Sequence, residues 1–180
     1  MKAIETVYNG YRFRSRLEAR WAVFFDAVKL PYSYETEGYE LEGYRYLPDF
    51  FIPDWDAFVE IKGKKPTIDE RRKCEALAEA SHKPVLLVYG EPWPNQYKAL
   101  LYWTEDDIPS GDFLGTEGVF MQCRRCDCIC FALEDEPGIA YFSLSLGHHD
   151  EGKNCEDRWP LVDGLEHAFT EARQARFEKT

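Results

Sequence analysis

Glu60 and Lys62 stand two apart in the run Ala57-Phe58-Val59-Glu60-Ile61-Lys62, and Asp49 follows Pro48 a short way upstream. In an extended chain, residues two apart point to the same face. Glu60 and Lys62 therefore share one side of a strand, and Val59 and Ile61 take the other side into a core. Two charges on so apolar a strand are costly unless they face a cleft or a cation. If Pro53-Asp54-Trp55 turns one strand back on the next, Asp49 approaches Glu60. Two converging carboxylates form an oxygen-ligand site. Mg²⁺ prefers such sites, taking one or two carboxylates and leaving room for a substrate phosphate. A cation held there stabilises charge on phosphorus oxygens and makes its water easier to deprotonate. Lys62 would orient or deprotonate that water, or steady the developing charge, and the residues alone do not choose among these roles. A Pro-Asp turn and a Glu-x-Lys pair are also ordinary surface features. The apolar setting and the strand-turn-strand spacing favour the chemical reading.

Positioning these groups requires a definite order of elements. Asn9-Gly10 marks a turn. Ser15 is an N-cap, and a helix runs from it to about Lys29, with Leu17, Trp21, Phe24, Phe25 and Val28 on one apolar face. Leu30-Pro31 stops it. Strand-like segments follow over about 32–37, 44–52 and 57–62. Thr67 and Glu70 have the spacing of a capping box, opening a helix to about Ser81 with Ala76, Leu77 and Ala80 facing inward. Pro84–Tyr89 reads as a buried central strand, and a further strand lies near 98–103. Helix, three strands, helix, strand implies an α/β fold with a mixed sheet flanked by helices. Residues 1–100 make this core. Residues 101–180 form a Cys-rich β region and a final helix over about 161–178, with Leu165, Ala168, Phe169 and Ala172 on one face.

Glu18 falls in the first turn of the first helix. Ser15-x-x-Glu18 is itself a capping box, in which Glu18 would reach back to the Ser15 amide. Arg12, Arg14, Arg16 and Arg20 surround that helix start, a setting that favours phosphate; the alternative is a solvated, salt-bridged face. Lys64 and Lys65 follow the charged strand directly and are candidates for backbone contacts to a nucleic acid, which position without reading sequence.

These residues resemble the PD-(D/E)xK nuclease superfamily. The matching pieces are Glu18 on the first helix, Pro48-Asp49, and Glu60-Ile61-Lys62-Gly63, in that superfamily's order of elements. The run from Tyr11 to Trp21, followed by Tyr46-Leu47-Pro48-Asp49-Phe50, is similar to small phage-type members. The resemblance covers about residues 8–90. It implies a restriction-endonuclease-like core, hydrolysis of a DNA phosphodiester with Mg²⁺ or Mn²⁺, metal binding by Asp49 and Glu60, a catalytic role for Lys62 and a supporting metal-side role for Glu18. It also implies DNA as partner, with RNA as the alternative. A homodimer would suit two cuts on a duplex, and a monomer a nick.

Five of six cysteines lie beyond residue 120. Cys123-x-x-Cys126 has the spacing of half a zinc site. Cys128, Cys130, His148, His149 and Cys155 follow, and Cys123, Cys126, His149 and Cys155 are the preferred set for a structural Zn²⁺ in a zinc-ribbon-like region. Free thiols in a β-rich segment are the alternative. Cys74 reads as a core residue.

Composition bounds these readings. The 180 residues carry 44% apolar and 16% aromatic side chains, enough for a core. No stretch approaches the ~20 apolar residues of a membrane span. Arg12, Arg14, Glu18 and Arg20 interrupt any secretory pattern, so the expectation is a soluble, intracellular protein. The net charge of −11 counts against a nucleic-acid partner. Residues 1–65, however, hold ten basic and eleven acidic side chains, so the acidity belongs to the rest of the chain. Two other classes stay open: a non-cleaving nucleic-acid-binding module on the same fold, and an acidic protein-interaction or inhibitor protein.

Overall fold

The structure, a computed structural model, describes residues 4–41, 43–94, 96–103, 115–122, 128–133, 145–146 and 165–177. Asn9 and Gly10 both take positive φ, 46° and 81°, and turn β1 (Thr6–Tyr8) back onto β2 (Tyr11–Phe13). The Asn-Gly turn thus closes a hairpin, where the sequence indicated only a turn. Ser15 caps α1 (Arg16–Ala27), accepting from the Glu18 amide at 3.2 Å. Trp21, Phe24 and Phe25 are fully buried, and Leu17 and Val28 pack at the edge of the same cluster.

The segments after α1 depart from expectation in instructive ways. β3 is only Ser33–Tyr34, because Glu35 sits at φ 49°, in the left-handed region that interrupts an extended strand. β4 (Tyr39–Leu41) and β5 (Tyr44–Tyr46) form a separate two-stranded hairpin. The single strand expected over 44–52 is therefore two strands, β5 and β6 (Phe50–Ile52). Between them Leu47, Pro48 and Asp49 leave the ladder, and Pro48 has no N–H to donate to one. A 3-10 turn over Pro53–Trp55 and a left-handed Asp56 then return the chain into β7 (Ala57–Lys62). β6 and β7 pair antiparallel, with Phe50 opposite Val59 and Ile52 opposite Ala57. The expected hairpin around Pro53-Asp54-Trp55 is present.

The Thr67–Glu70 capping box opens α2 (Ile68–Ser81) in both directions. Cys74, Leu77 and Ala78 are its buried residues; Ala80, expected to face inward, is exposed, and Ala78 takes that role. β8 (Val85–Gly90) lies parallel to β7, and α2 supplies the crossover a parallel pair requires. β9 (Tyr97–Tyr102) pairs antiparallel with β8. β10 (Thr116–Gln122), β11 (Ile129–Leu133) and β12 (Ser145–Leu146) continue outward, giving the sheet order β12-β11-β10-β9-β8-β7-β6-β3. The last described helix is α3 (Leu165–Gln174), with Leu165, Ala168, Phe169 and Ala172 buried as the spacing predicts.

Side chains alternate across this sheet as period two requires. Ala57, Val59 and Ile61, Leu86 and Val88, and Ala99 and Leu101 join α1 and α3 in one cluster. Phe58, Val85, Leu87, Leu100 and Tyr102 join α2 in another. Phe24 of α1 stacks on Phe169 of α3 at 4.7 Å between ring centroids. The division expected at about residue 100 falls inside β9. The described strands beyond it extend the same sheet, and α3 packs on α1, because both cover one apolar face. The chain is thus α/β, a mixed sheet with helices on both sides. Among the described residues no helix is long and apolar enough to cross a membrane.

Candidate active site

The β6–β7 pairing carries Asp49, one residue before β6, to the far end of β7. Its Oδ2 accepts from the Ile61 amide at 2.8 Å, and its own amide donates to Glu60 Oε2 at 3.3 Å. The two acids are thus locked together by main-chain groups, which strand pairing fixes more firmly than side-chain rotamers could. Lys62 forms an ion pair with Glu60 Oε1, as residues two apart on one strand face can. Asp49 and Glu60 are buried to 5% and 4% relative exposure. These charges lie inside the protein, so their pairing decides their state.

Glu18 reaches the same place from α1. Leu17 lies 3.7 Å from where a Gly63 side chain would begin, so the first turn of α1 sits against the end of β7. The Glu18 carboxylate does not close the expected box onto the Ser15 amide. Instead its Oε1 accepts from the Ser15 hydroxyl at 2.6 Å, and its Oε2 accepts from the Arg14 amide at 3.1 Å and the Tyr34 hydroxyl at 2.6 Å. Glu18 is turned inward and only 8% exposed. Arg14 joins the acids: its guanidinium donates to Asp49 Oδ1 at 3.3 Å and pairs through Nε with Glu35.

The electrostatics follow from this crowding. The Asp49 carboxyl is held well above the usual carboxylate range, first by burial and then by the charges of Glu60 and Glu18; Lys62 and the Ile61 amide oppose the rise. The Lys62 ammonium is disfavoured by burial, but Glu60 and Asp49 outweigh that and hold it above the ordinary lysine value. Burial, then the Glu60 charge, pushes the Tyr46 hydroxyl far up, so it stays neutral. Cys74 lies behind Glu60, its thiol pushed up by burial and by the same carboxylate. It is a buried core residue, as its place in the helical pattern indicated.

The four expected catalytic residues, Glu18, Asp49, Glu60 and Lys62, are therefore brought together. Among the described residues no group of three or more His, Cys, Asp or Glu side chains could hold a metal ion as placed. The reason is visible in the contacts: Arg14 faces Asp49, Lys62 faces Glu60, and Ser15 and Tyr34 hold Glu18. The donor chemistry nonetheless suits a hard dication. All three are carboxylates, and the charges of Glu60 and Glu18 add to burial in raising Asp49.

The basic residues divide. Arg12 pairs with Glu5, Arg14 with Glu35 and Asp49, and Arg20 with Glu91, the salt-bridged arrangement named as the alternative. Arg16, Lys64 and Lys65 form no ion pair with another described residue, and Lys64 and Lys65 are exposed. Tyr34, Glu35 and Tyr46 belong to the site and were not anticipated. The Tyr32-x-Tyr34 alternation was a signal for an inward Tyr34; nothing in the sequence marks the left-handed Glu35. The zinc candidates Cys123, Cys126, His149 and Cys155 lie outside the described residues. No family model matches the chain, and no curated protein or solved structure matches it.

Proposed function

We propose that the chain hydrolyses DNA phosphodiester bonds at this site, as a metal-dependent endonuclease of PD-(D/E)xK type with a restriction-endonuclease-like core. One observation carries the reading. Three buried carboxylates and a lysine from α1, the residue before β6, and β7 converge on one point, with Asp49 tied to Ile61 and Glu60 by hydrogen bonds. The order of the main-sheet elements, α1, β3, β6, β7, α2, β8, with the separate β4–β5 hairpin inserted after β3, supports it as well.

Asp49 and Glu60 would hold Mg²⁺ or Mn²⁺, with Glu18 in support, and the ion when bound supplies charge stabilisation at phosphorus oxygens and an acidified water. The protein's own share is positional. The Ile61 amide fixes one Asp49 oxygen and leaves the other to the Arg14 guanidinium. The Asp49 amide and Lys62 orient Glu60. In the metal-free protein Glu60 and Asp49 hold the Lys62 ammonium above its ordinary value, and beside a bound dication Lys62 would orient the water or steady charge on a phosphate oxygen. Arg16, Lys64 and Lys65 sit on the rim that Leu17 and Gly63 share and would contact flanking phosphates. Arg12 and Arg20, already paired, are weaker contributors.

Incubation with supercoiled plasmid and Mg²⁺ or Mn²⁺ tests this. Wild type should nick or linearise the plasmid. Asp49→Ala and Lys62→Ala should each lose about 10³-fold or more, about 4 kcal/mol of transition-state stabilisation. Equal activity in all three would remove the assignment. The cations already facing Asp49 and Glu60 favour a second reading, a binding module that does not cut. Retention of plasmid without any metal-dependent cleavage would select it.

A further inference from the structure

The guanidinium of Arg14 is held at its two ends in unequal ways. A terminal nitrogen donates to Asp49 Oδ1 at 3.3 Å, the long end of a charge-assisted bond, whereas Nε only forms an ion pair with Glu35, whose Oε1 has no hydrogen-bond partner. The main chain at both Arg14 and Glu35 is anchored. The Arg14 amide donates to Glu18 and, at 3.0 Å, to the Tyr34 hydroxyl, which fixes the root of the side chain. The Glu35 amide donates to the Asp49 carbonyl at 3.0 Å, and the Glu35 side chain is only 23% exposed. Glu35 also adopts a left-handed backbone at φ 49°, a conformation that non-glycine residues rarely take without a compensating contact. The Arg14 side chain, by contrast, is 55% exposed. It is a cation half in solvent, with one terminal nitrogen on the one Asp49 oxygen that the main chain does not hold.

That oxygen is also the one a dication would need. A guanidinium and a metal ion cannot both face it at close range without repulsion, and the guanidinium's planar fork is suited to phosphate oxygens. We infer that Arg14 is a movable counter-ion: it neutralises Asp49 in the metal-free protein, gives up that oxygen when a divalent cation binds, and turns to a phosphate oxygen of the substrate. The inference rests on the proposed nuclease site and deepens it. It makes metal binding and phosphate capture one linked event.

The test begins without DNA. The full chain is titrated with Mn²⁺, and the electron paramagnetic resonance signal of hydrated Mn²⁺ reports the free ion. Arg14→Gln should bind Mn²⁺ more than threefold tighter than wild type. Arg14→Lys keeps the charge but cannot span Glu35 and Asp49 together, so it should also tighten binding, and it preserves the test if the glutamine variant does not fold. Arg45→Gln removes another paired but remote arginine and should change affinity less than threefold. Arg14 variants within threefold of wild type, or an equal effect from Arg45→Gln, would overturn the inference alone, provided wild type binds Mn²⁺ and Asp49→Ala does not. Absence of any Asp49-dependent Mn²⁺ binding would overturn the site reading and the inference with it. A second arm uses a short DNA duplex and the Lys62→Ala background, so that the duplex stays whole. Mn²⁺ should raise duplex affinity there, and adding Arg14→Gln should cut that gain more than threefold. An unchanged gain would overturn the transfer to phosphate.

Discussion

Along β7, Ala57, Val59 and Ile61 join the apolar cluster under α1 and α3. Phe58, Glu60 and Lys62 face the α2 side, where Phe58 continues the apolar cluster and the next two positions carry charge. Val59 and Glu60 are adjacent in the chain and almost equally hidden, at 0% and 4% exposure. Their neighbourhoods differ completely. Val59 meets apolar side chains and gains stability by leaving water. Glu60 meets Lys62, Tyr46 and the Asp49 amide, and its burial raises the free energy of its neighbour Asp49. The pleat separates apolar packing from charge within one strand: the first face joins the core, and the second holds charge within the sheet.

Exchanging the two kinds of residue gives the largest expected effect. Val59→Asp places an unpaired carboxylate among apolar groups and should cost about 3–5 kcal/mol, enough to unfold a domain of ordinary stability. Glu60→Gln should instead leave the protein folded, with cleavage lost, because it removes a charge that repels Asp49 while keeping the side chain's shape. Urea unfolding of both variants, with plasmid cleavage by the folded one, checks the pair. A destabilisation by Glu60→Gln as large as that by Val59→Asp would show that the charged face holds the fold together, and the contrast would fail.

A smaller effect sharpens the same contrast through pH. The folded-state pKa of Asp49 lies above its unfolded value, so the folded protein binds more protons than the unfolded chain between the two. For such a group, stability falls as pH rises from the unfolded value through the folded one, and the cost is full above it. The metal-free protein should therefore unfold at higher urea near pH 5 than near pH 8, in a chelator. Asp49→Asn should flatten that slope, since it cannot ionise. Val59→Ala should lower the midpoint at both pH values and leave the slope alone. A wild-type slope identical to that of Asp49→Asn would mean that the carboxylates do not strain one another.

How much of this was legible follows from which physical rule governs each part. The β7 faces and the Asp49–Glu60 approach could be read because period two and a Pro-Asp turn are local rules. The division of 44–52 into β5 and β6 depends on β5 pairing with β4 instead of joining the main sheet, a choice made by tertiary packing. Glu35 was invisible because glutamate carries no preference for the left-handed region it occupies. The spacing Ser15-x-x-Glu18 pointed to a box, and the carboxylate went elsewhere because Tyr34, brought in by β3, offers a buried donor. The sheet continues past residue 100 through β10–β12, but the cysteines at 123, 126, 128 and 130 mark that stretch as a metal site before its strands read as an extension of the core.

The least of the expected effects lies at the start of α2, next to the charged face but outside it. Thr67 accepts from the Glu70 amide at 3.2 Å, and Glu70 returns to the Thr67 amide at 2.7 Å. Glu70 is held below the usual carboxylate range, first by that backbone bond, so its contribution is present above the ordinary glutamate value and is lost as pH falls through the lowered one. Thr67→Ala should cost about 1 kcal/mol, the usual worth of an N-cap. The helix it opens carries Cys74 and Leu77 under the charged face, so the cap is a test of whether α2 positions Glu60 or merely covers it. If cleavage per folded molecule is unchanged while the urea midpoint drops, α2 serves stability alone. A fall in the rate beyond the loss of folded protein would show that the charged face is held in register from behind, by the helix, as well as along the strand.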